Sequence, residues 1–284
     1  MIDSTATELP WLWAGLGAYA IATLVVVRAI VFGSAMPAGA IVSRSYEKYV
    51  LGLIVTAVAL LAMSLAERWV RIGHGPFVNL FELLISQLFS LGLIFAIVYW
   101  RFPVIRPAAV VIFPALWVLG IWVLTLEAVA VPNPPTYFNN WKWAHVGFGK
   151  VFFGLSLMAA GLSGVLLMRG VPRFAAWFRE MPNDTVLDFF AWRFMLLALV
   201  FDSFMLIAGA VWAQDAWGRY WQWDALETSA FLNWLILGAS IHARLTYRMP
   251  IRIGAIVIIG LFIFAFFTYF GTPFYSDAAH KGVV

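Results

Sequence analysis

The sequence predicts an all-α integral membrane bundle of about eight transmembrane helices, both termini extracytoplasmic. Three observations carry that expectation. Hydrophobic residues make up 63% of the chain and charged residues only 11%, whereas a soluble domain carries about a quarter charged residues. Mean hydropathy is +0.90, too high to be hidden in one water-soluble core. The apolar residues also fall into eight long runs near the roughly 20 residues that a spanning helix needs, and strands with open edges would leave backbone groups unsatisfied in lipid.

The runs cover 11–32, 49–66, 80–100, 107–126, 145–168, 194–213, 227–245 and 253–270. The first is read as a span and not as a cleaved leader, because residues 1–10 carry Asp3 and Glu8 but no Lys or Arg, and a secretory signal starts with a basic segment. Alternating the remaining runs across the membrane sorts the basic residues. One side collects Arg28, Arg44, Lys48, Arg101, Arg106, Arg169, Arg173, Arg179, Arg193, Arg244, Arg248 and Arg252, twelve of the 18. The other collects Arg68, Arg71, Lys142, Lys150, Arg219 and Lys281. The richer side faces the cytoplasm by the positive-inside rule, which places connections 67–79, 128–144 and 214–226 outside and the long, charged connection 169–193 inside. No internal repeat or soluble module interrupts this pattern, so residues 1–284 read as one transmembrane domain.

Composition also limits the chemistry. The chain has no cysteine and only four histidines. Disulfides, thiolate metal sites and iron–sulfur clusters carried by this chain are excluded. The net charge of +4 is explained by membrane sidedness and gives no nucleic-acid signal.

The connection before the seventh run is the most distinctive segment. It reads WAQDAWGRYWQWD and concentrates Trp212, Trp217, Tyr220, Trp221 and Trp223 ahead of Asp224. Aromatic residues at such a level commonly anchor a protein at the membrane interface, yet this density also suits a flat, apolar, partly charged ligand. His145 and His280 fall on the same side. Two imidazoles on opposite faces of a porphyrin make a haem-iron site, with Arg219, Lys142 or Arg71 available to its propionates. A zinc site from His145, His280 and Asp224 has no supporting spacing. His242 lies near the opposite end of the seventh run, with Gly238 one turn earlier on the same face. An ionisable residue at that depth is either a functional group or a neutral imidazole bonded to a neighbouring helix. If it ligates iron, a partner must supply the second imidazole. Asp202 inside the sixth run is a proton or packing site, with Glu82 and Glu127 at or near other runs. Asp224 and Glu227 bracket the start of the seventh helix and can cap it.

Several of these features recur together in a known family. GAVWAQDAWGRYWQWDALET resembles the tryptophan-rich WWD segment (about 212–228) of the CcsA/ResC family, the haem-handling membrane subunit of the System II cytochrome c synthetase. HGPFVNLFELL at 74–84 resembles its GHxPxxNLxE stretch. WKWAH at 141–145 matches the placement of its first outer histidine, LDFFAWR at 187–193 the segment before the next span, and GTPFYSDAAH at 271–280 the spacing to its second outer histidine. The likeness runs from about residue 45 to the end. It departs where Ala225 and Leu226 stand in place of the family's usual Pro-Lys, at Ser229 in place of a Trp, and at Ala279-His280-Lys281-Gly282 in place of Leu-His-Ser-Tyr.

The resemblance implies a function. His145 and His280 would be the axial ligands of haem b held at the outer site. Trp217, Tyr220, Trp221, Trp223 and Asp224 would form the platform that presents the haem vinyls. His242 would share a second haem with a CcsB/ResB-type membrane partner. The chain would move haem outward across the bacterial cytoplasmic membrane, or a thylakoid membrane, and take part in its covalent attachment to the CxxCH thiols of apocytochrome c, as a haem-lyase subunit. A different class of function on the same scaffold is a haem-binding subunit of a larger membrane electron-transfer complex. A small-molecule transporter using Asp202 and the aromatic loop is the third reading.

Overall fold

The computed structural model describes residues 6–35, 45–75 and 77–274. Among these residues the chain is helical throughout, without strands. The long helices are α1 (Leu9–Ala35), α2 (Tyr46–Ile72), α3 (Leu80–Arg101), α4 (Ala109–Leu124), α5 (Asn140–Arg169), α6 (Asp184–Trp217), α7 (Ala225–Thr246) and α8 (Ile251–Phe266). A 3₁₀ turn, Pro103–Ala108, leads into α4, and a π-helical turn, Phe267–Gly271, extends α8.

Seven spans are long and apolar enough to cross a membrane: Leu9–Gly33, Tyr46–Ile72, Leu80–Arg101, Pro103–Leu124, Asn140–Arg169, Asp184–Trp217 and Ile251–Gly271. The chain is a polytopic helical membrane protein. The helix at the seventh expected run forms, but it is the polar one. With 22 residues it is about 33 Å long, enough to cross the hydrocarbon core, while Glu227, Asn233, His242 and Arg244 lower its apolarity.

Several helix limits differ from the apolar runs for a local reason. The sixth run begins at 194, but α6 begins ten residues earlier, because the Asn183 side chain accepts from the Val186 amide and caps the helix there. Asn139 does the same for α5 at Trp141, and Asn79 for α3 at Glu82. A side-chain oxygen on an otherwise orphaned amide starts a helix irrespective of where lipid begins. At its far end α6 stops at Gly218, whose φ of 73° lets its amide bond back to the Gln214 carbonyl.

Polar contacts gather at the two ends of the bundle. At one, Arg169 pairs with Asp184, Arg106 with Glu47 and Arg244 with Asp188, and Arg179 reaches the Gly33 carbonyl. At the other, the fully buried Arg68 joins Glu8 at 2.8 Å and Glu82 at 2.7 Å. It also donates to the Ala128 and Val129 carbonyls. Arg71 bonds Glu8 as well. Burial alone would raise the Glu8 carboxyl, but hydrogen bonds from Arg71, its own backbone and Arg68 outweigh that and hold it below its usual value. This knot ties together the start of α1, the end of α2, the start of α3 and the connection that follows α4. Between the two ends lies a continuous apolar core drawn from α1–α8.

Candidate functional site

The second polar end also carries a recess. It is lined by α3, α5, α6, the start of α7 and the π turn, and is capped by the aromatic connection between α6 and α7. The cavity measures about 200 Å³, within about 1350 Å³ of atom-free space that includes its mouth. That volume is below the roughly 300–1,000 Å³ of enclosed ligand sites, so a flat ligand of porphyrin size would lie partly in the mouth. Among the expected site residues, His145, Trp217, Tyr220 and Trp221 line it together, along with Trp212 and Lys142.

His145 stands on the first turns of α5, facing α6. Its Nδ1 lies 2.9 Å from the Met205 carbonyl. A carbonyl only accepts, so Nδ1 carries the proton and, in the neutral ring, the lone pair sits on Nε2. A second nitrogen tied to backbone is the arrangement that orients a metal-ligating imidazole. The ring fits because α6 has Gly209 opposite it: a Cβ there would come within 2.6 Å of Nδ1. Trp212 lies tilted against the same imidazole at 5.7 Å between centroids.

Trp212 also ties the roof to the bundle. Its indole nitrogen donates to the Thr136 carbonyl at 2.9 Å, and its ring meets Tyr137 edge-on and Trp217 at 5.2 Å. Burial pushes the Tyr137 phenol above its usual value, so it stays neutral beneath the Lys142 ammonium, which sits 4.1 Å from its ring centroid.

The aromatic connection between α6 and α7 turns on two carboxylates. Asp224 caps α7 by accepting from the Glu227 amide, and Glu227 reaches back to accept from the amides of Gln222, at 2.7 Å, and Trp223, at 2.9 Å. This is a reciprocal capping arrangement. It holds Trp223 at a φ of 61°, a left-handed conformation rare for a bulky residue. The Trp223 ring is 66% exposed and the Tyr220 ring 60% exposed, so they form the outer rim, while Trp221 turns inward. The Trp221 indole nitrogen is buried and has no acceptor among the described residues. Asp224 therefore acts on the platform as a cap, and it also accepts from the Gln222 side chain at 2.9 Å.

The remaining expected residues separate. His242 lies near the opposite end of α7, about 26 Å of helix from Ala225, exposed on the outside of the bundle with Nε2 3.4 Å from Thr246 Oγ1. No atom approaches a Cβ built on Gly238, so that face is open. His280 lies outside the described residues. Arg71 is engaged with Glu8 and Arg219 is exposed. Asp202 is fully buried. One of its oxygens lies 3.3 Å from Asn233 Nδ2, and the other has no donor among the described residues. No three His, Cys, Asp or Glu side chains among the described residues come together to hold a metal ion.

The HGPFVNLFELL stretch proves architectural: His74 Nε2 contacts the Val131 carbonyl at 2.9 Å, Asn79 caps α3 and Glu82 holds Arg68. Sequence reasoning passed over four cavity residues, Phe77, Gln87, Lys150 and Tyr269. Lys150 had a signal, since an ammonium inside an apolar run is by default a functional candidate.

An oriented imidazole, a glycine that makes room for it, aromatic walls and an inward indole N–H without an acceptor fit a porphyrin with carboxylate arms. Sequence comparison leads the same way. The family described as Cytochrome C assembly protein matches residues 77–280. A cytochrome c biogenesis protein CcsA from a strain of Prochlorococcus marinus is 30% identical over 260 residues, covering 81% of this chain and 82% of that protein. CcsA proteins of Cuscuta reflexa and Nicotiana tomentosiformis are 25% and 26% identical, each covering 84% of this chain and 86% of the relative. With the family match spanning well over half of its length, this chain belongs to the CcsA family of cytochrome c assembly proteins.

Proposed function

We propose that this chain acts in cytochrome c maturation by carrying haem b to its outer aromatic cavity and presenting it for covalent attachment to apocytochrome c. The observation that carries this reading is His145. Its proton is committed to the Met205 carbonyl, and its ring sits in a Gly209-shaped slot in the wall of the aromatic recess.

In this reading residues 1–284 form one transmembrane haem-handling unit. Helix α7 also spans the membrane, which brings the spans to eight, its polar side chains turned partly into the bundle. Both termini and the WWD segment lie on the extracytoplasmic side, as the distribution of Lys and Arg favours. His145 and His280 are the axial ligands of the outer haem. Trp217 and Trp221 flank it and exclude water, the Trp221 N–H offers a donor to a carboxylate arm, and Tyr220 and Trp223 form the rim that meets the incoming peptide. Asp224 and Glu227 hold that rim in place. The cargo supplies the reactive vinyl groups, across which the two thiols of a CxxCH peptide add, forming carbon–sulfur bonds with the thiol hydrogens passing to the neighbouring carbons. The chain's contribution is to bind, orient and shield. His242, on an open lateral face, suits a second haem shared with an imidazole of a CcsB/ResB-type subunit.

The test is co-expression of the chain and its membrane partner with a CxxCH-bearing apocytochrome, reading covalently bound haem. His145→Ala and His280→Ala are expected to lose most of the holocytochrome and to regain part of it with added imidazole. Full maturation by both variants would overturn the assignment.

A further inference from the structure

We infer that Lys150 is the residue that orients the cargo, taking a carboxylate arm of the porphyrin into the membrane side of the recess so that the opposite, vinyl-bearing edge faces the WWD rim. This rests on the haem reading above. Lys150 lies five residues beyond His145, about 7.5 Å deeper along α5, and lines the same cavity. Its ammonium donates to Ser86 Oγ at 3.0 Å and to Gln87 Oε1 at 3.4 Å, and lies 5.5 Å from the Phe77 ring centroid. Each of these partners is neutral, and Lys150 forms no ion pair among the described residues.

Its setting differs from that of the other cations at this end of the bundle. Arg68 and Arg71 are matched by Glu8 and Glu82, Lys142 lies over the Tyr137 ring, and Arg219 is exposed to solvent. Glu227 also lines the recess, but one of its oxygens serves the amides of residues 222 and 223. A charge in an apolar setting is costly unless an opposite charge joins it. An ammonium at the floor of a cavity, held by hydroxyl and amide dipoles, is therefore a prepared site for an anion brought by the ligand. Lys142 also lines the cavity, but its ammonium sits 4.1 Å from the Tyr137 ring centroid, which leaves Lys150 as the cation held only by neutral hydroxyl and amide groups and one phenyl ring.

The experiment titrates the purified full-length chain, alone and in detergent, with haem and with haem dimethyl ester, whose carboxylates are masked. The wild type is expected to prefer the free acid by at least about tenfold, the effect of one charge-assisted hydrogen bond. Lys150→Met should lose most of that preference by weakening the free acid alone, the Trp221 N–H keeping the remainder, and Lys150→Arg should keep nearly all of it. Equal binding of acid and ester by the wild type overturns the inference and leaves the haem reading standing, and needs no variant to fold. Preference retained in full by Lys150→Met overturns it too. Binding of neither porphyrin by the wild type sinks both.

Discussion

His145 and Trp221 are the side chains through which this cavity would grip its cargo. Trp221→Phe keeps an aromatic wall and deletes the buried N–H that has no acceptor, along with part of the ring. It is expected to weaken haem binding by a few-fold to about tenfold, the range of a single hydrogen bond to a charged group, measured by absorbance titration. Gly209→Ala is the complementary test. Its added methyl would meet His145 Nδ1, so the imidazole must shift, and both the haem spectrum and affinity should change although the substituted residue carries no functional group. At this scale the sequence was legible where chemistry is rare. With four histidines and no cysteine, His145 stood out, and the aromatic cluster pointed to Trp217, Tyr220 and Trp221, which line the recess with it. What it left open is which way each ring faces. Trp221 and Trp223 are two residues apart, yet one turns inward and the other to the rim, because Glu227 fixes the backbone between them.

Helix α7 shows how a local capping arrangement sets the shape of a binding surface. Glu227→Ala removes the acceptor for the Gln222 and Trp223 amides, and nothing then holds Trp223 in its left-handed conformation. The expected cost is about 1–2 kcal/mol of local stability, typical of losing a cap, visible as faster amide exchange at 222–224 without global unfolding. The role of Asp224 as helix cap was readable from its position before an apolar run. The reach of Glu227 back to two amides was not, since it depends on the turn geometry that precedes the helix. Helix limits follow the same logic. The apolar runs located the spans, but α5 and α6 start at Asn139 and Asn183 caps ahead of the apolar stretch, where hydropathy carries no information. The polarity of α7 is likewise a consequence of packing: Asn233 is buried against Asp202, so its side chain need not meet lipid.

For the molecule as a whole, the knot of Glu8, Arg68, Arg71 and Glu82 ties the cavity-side ends of three helices to the connection beside the cavity. Arg68 is fully buried between two carboxylates. Arg68→Met leaves both without their shared partner and is expected to cost about 3–5 kcal/mol, the usual penalty for breaking a buried ion pair, read as a lowered midpoint of thermal unfolding in detergent. The carboxyl of Glu8 is held below its ordinary value of 4.5. Its contribution is therefore complete above that value, where folded and unfolded chains both carry the charge, and is lost as pH falls through the lower folded value. Unfolding midpoints of the wild type should be insensitive to Glu8 near neutral pH and fall in acid below about pH 4.5. Glu8→Gln should flatten the Glu8 share of that acid dependence. None of these contacts was visible in the chain, because Glu8 and Arg68 are 60 residues apart and only the packing of α1 on α2 brings them together.

The most direct measurement for the central claim is the visible absorption spectrum of the purified chain with its co-purified haem, comparing wild type with His145→Ala before and after imidazole is added. The account expects a six-coordinate, nitrogen-ligated spectrum in the wild type, its loss in the variant and its return with imidazole. An identical spectrum in both proteins would show that the aromatic recess does not hold iron porphyrin through this side chain.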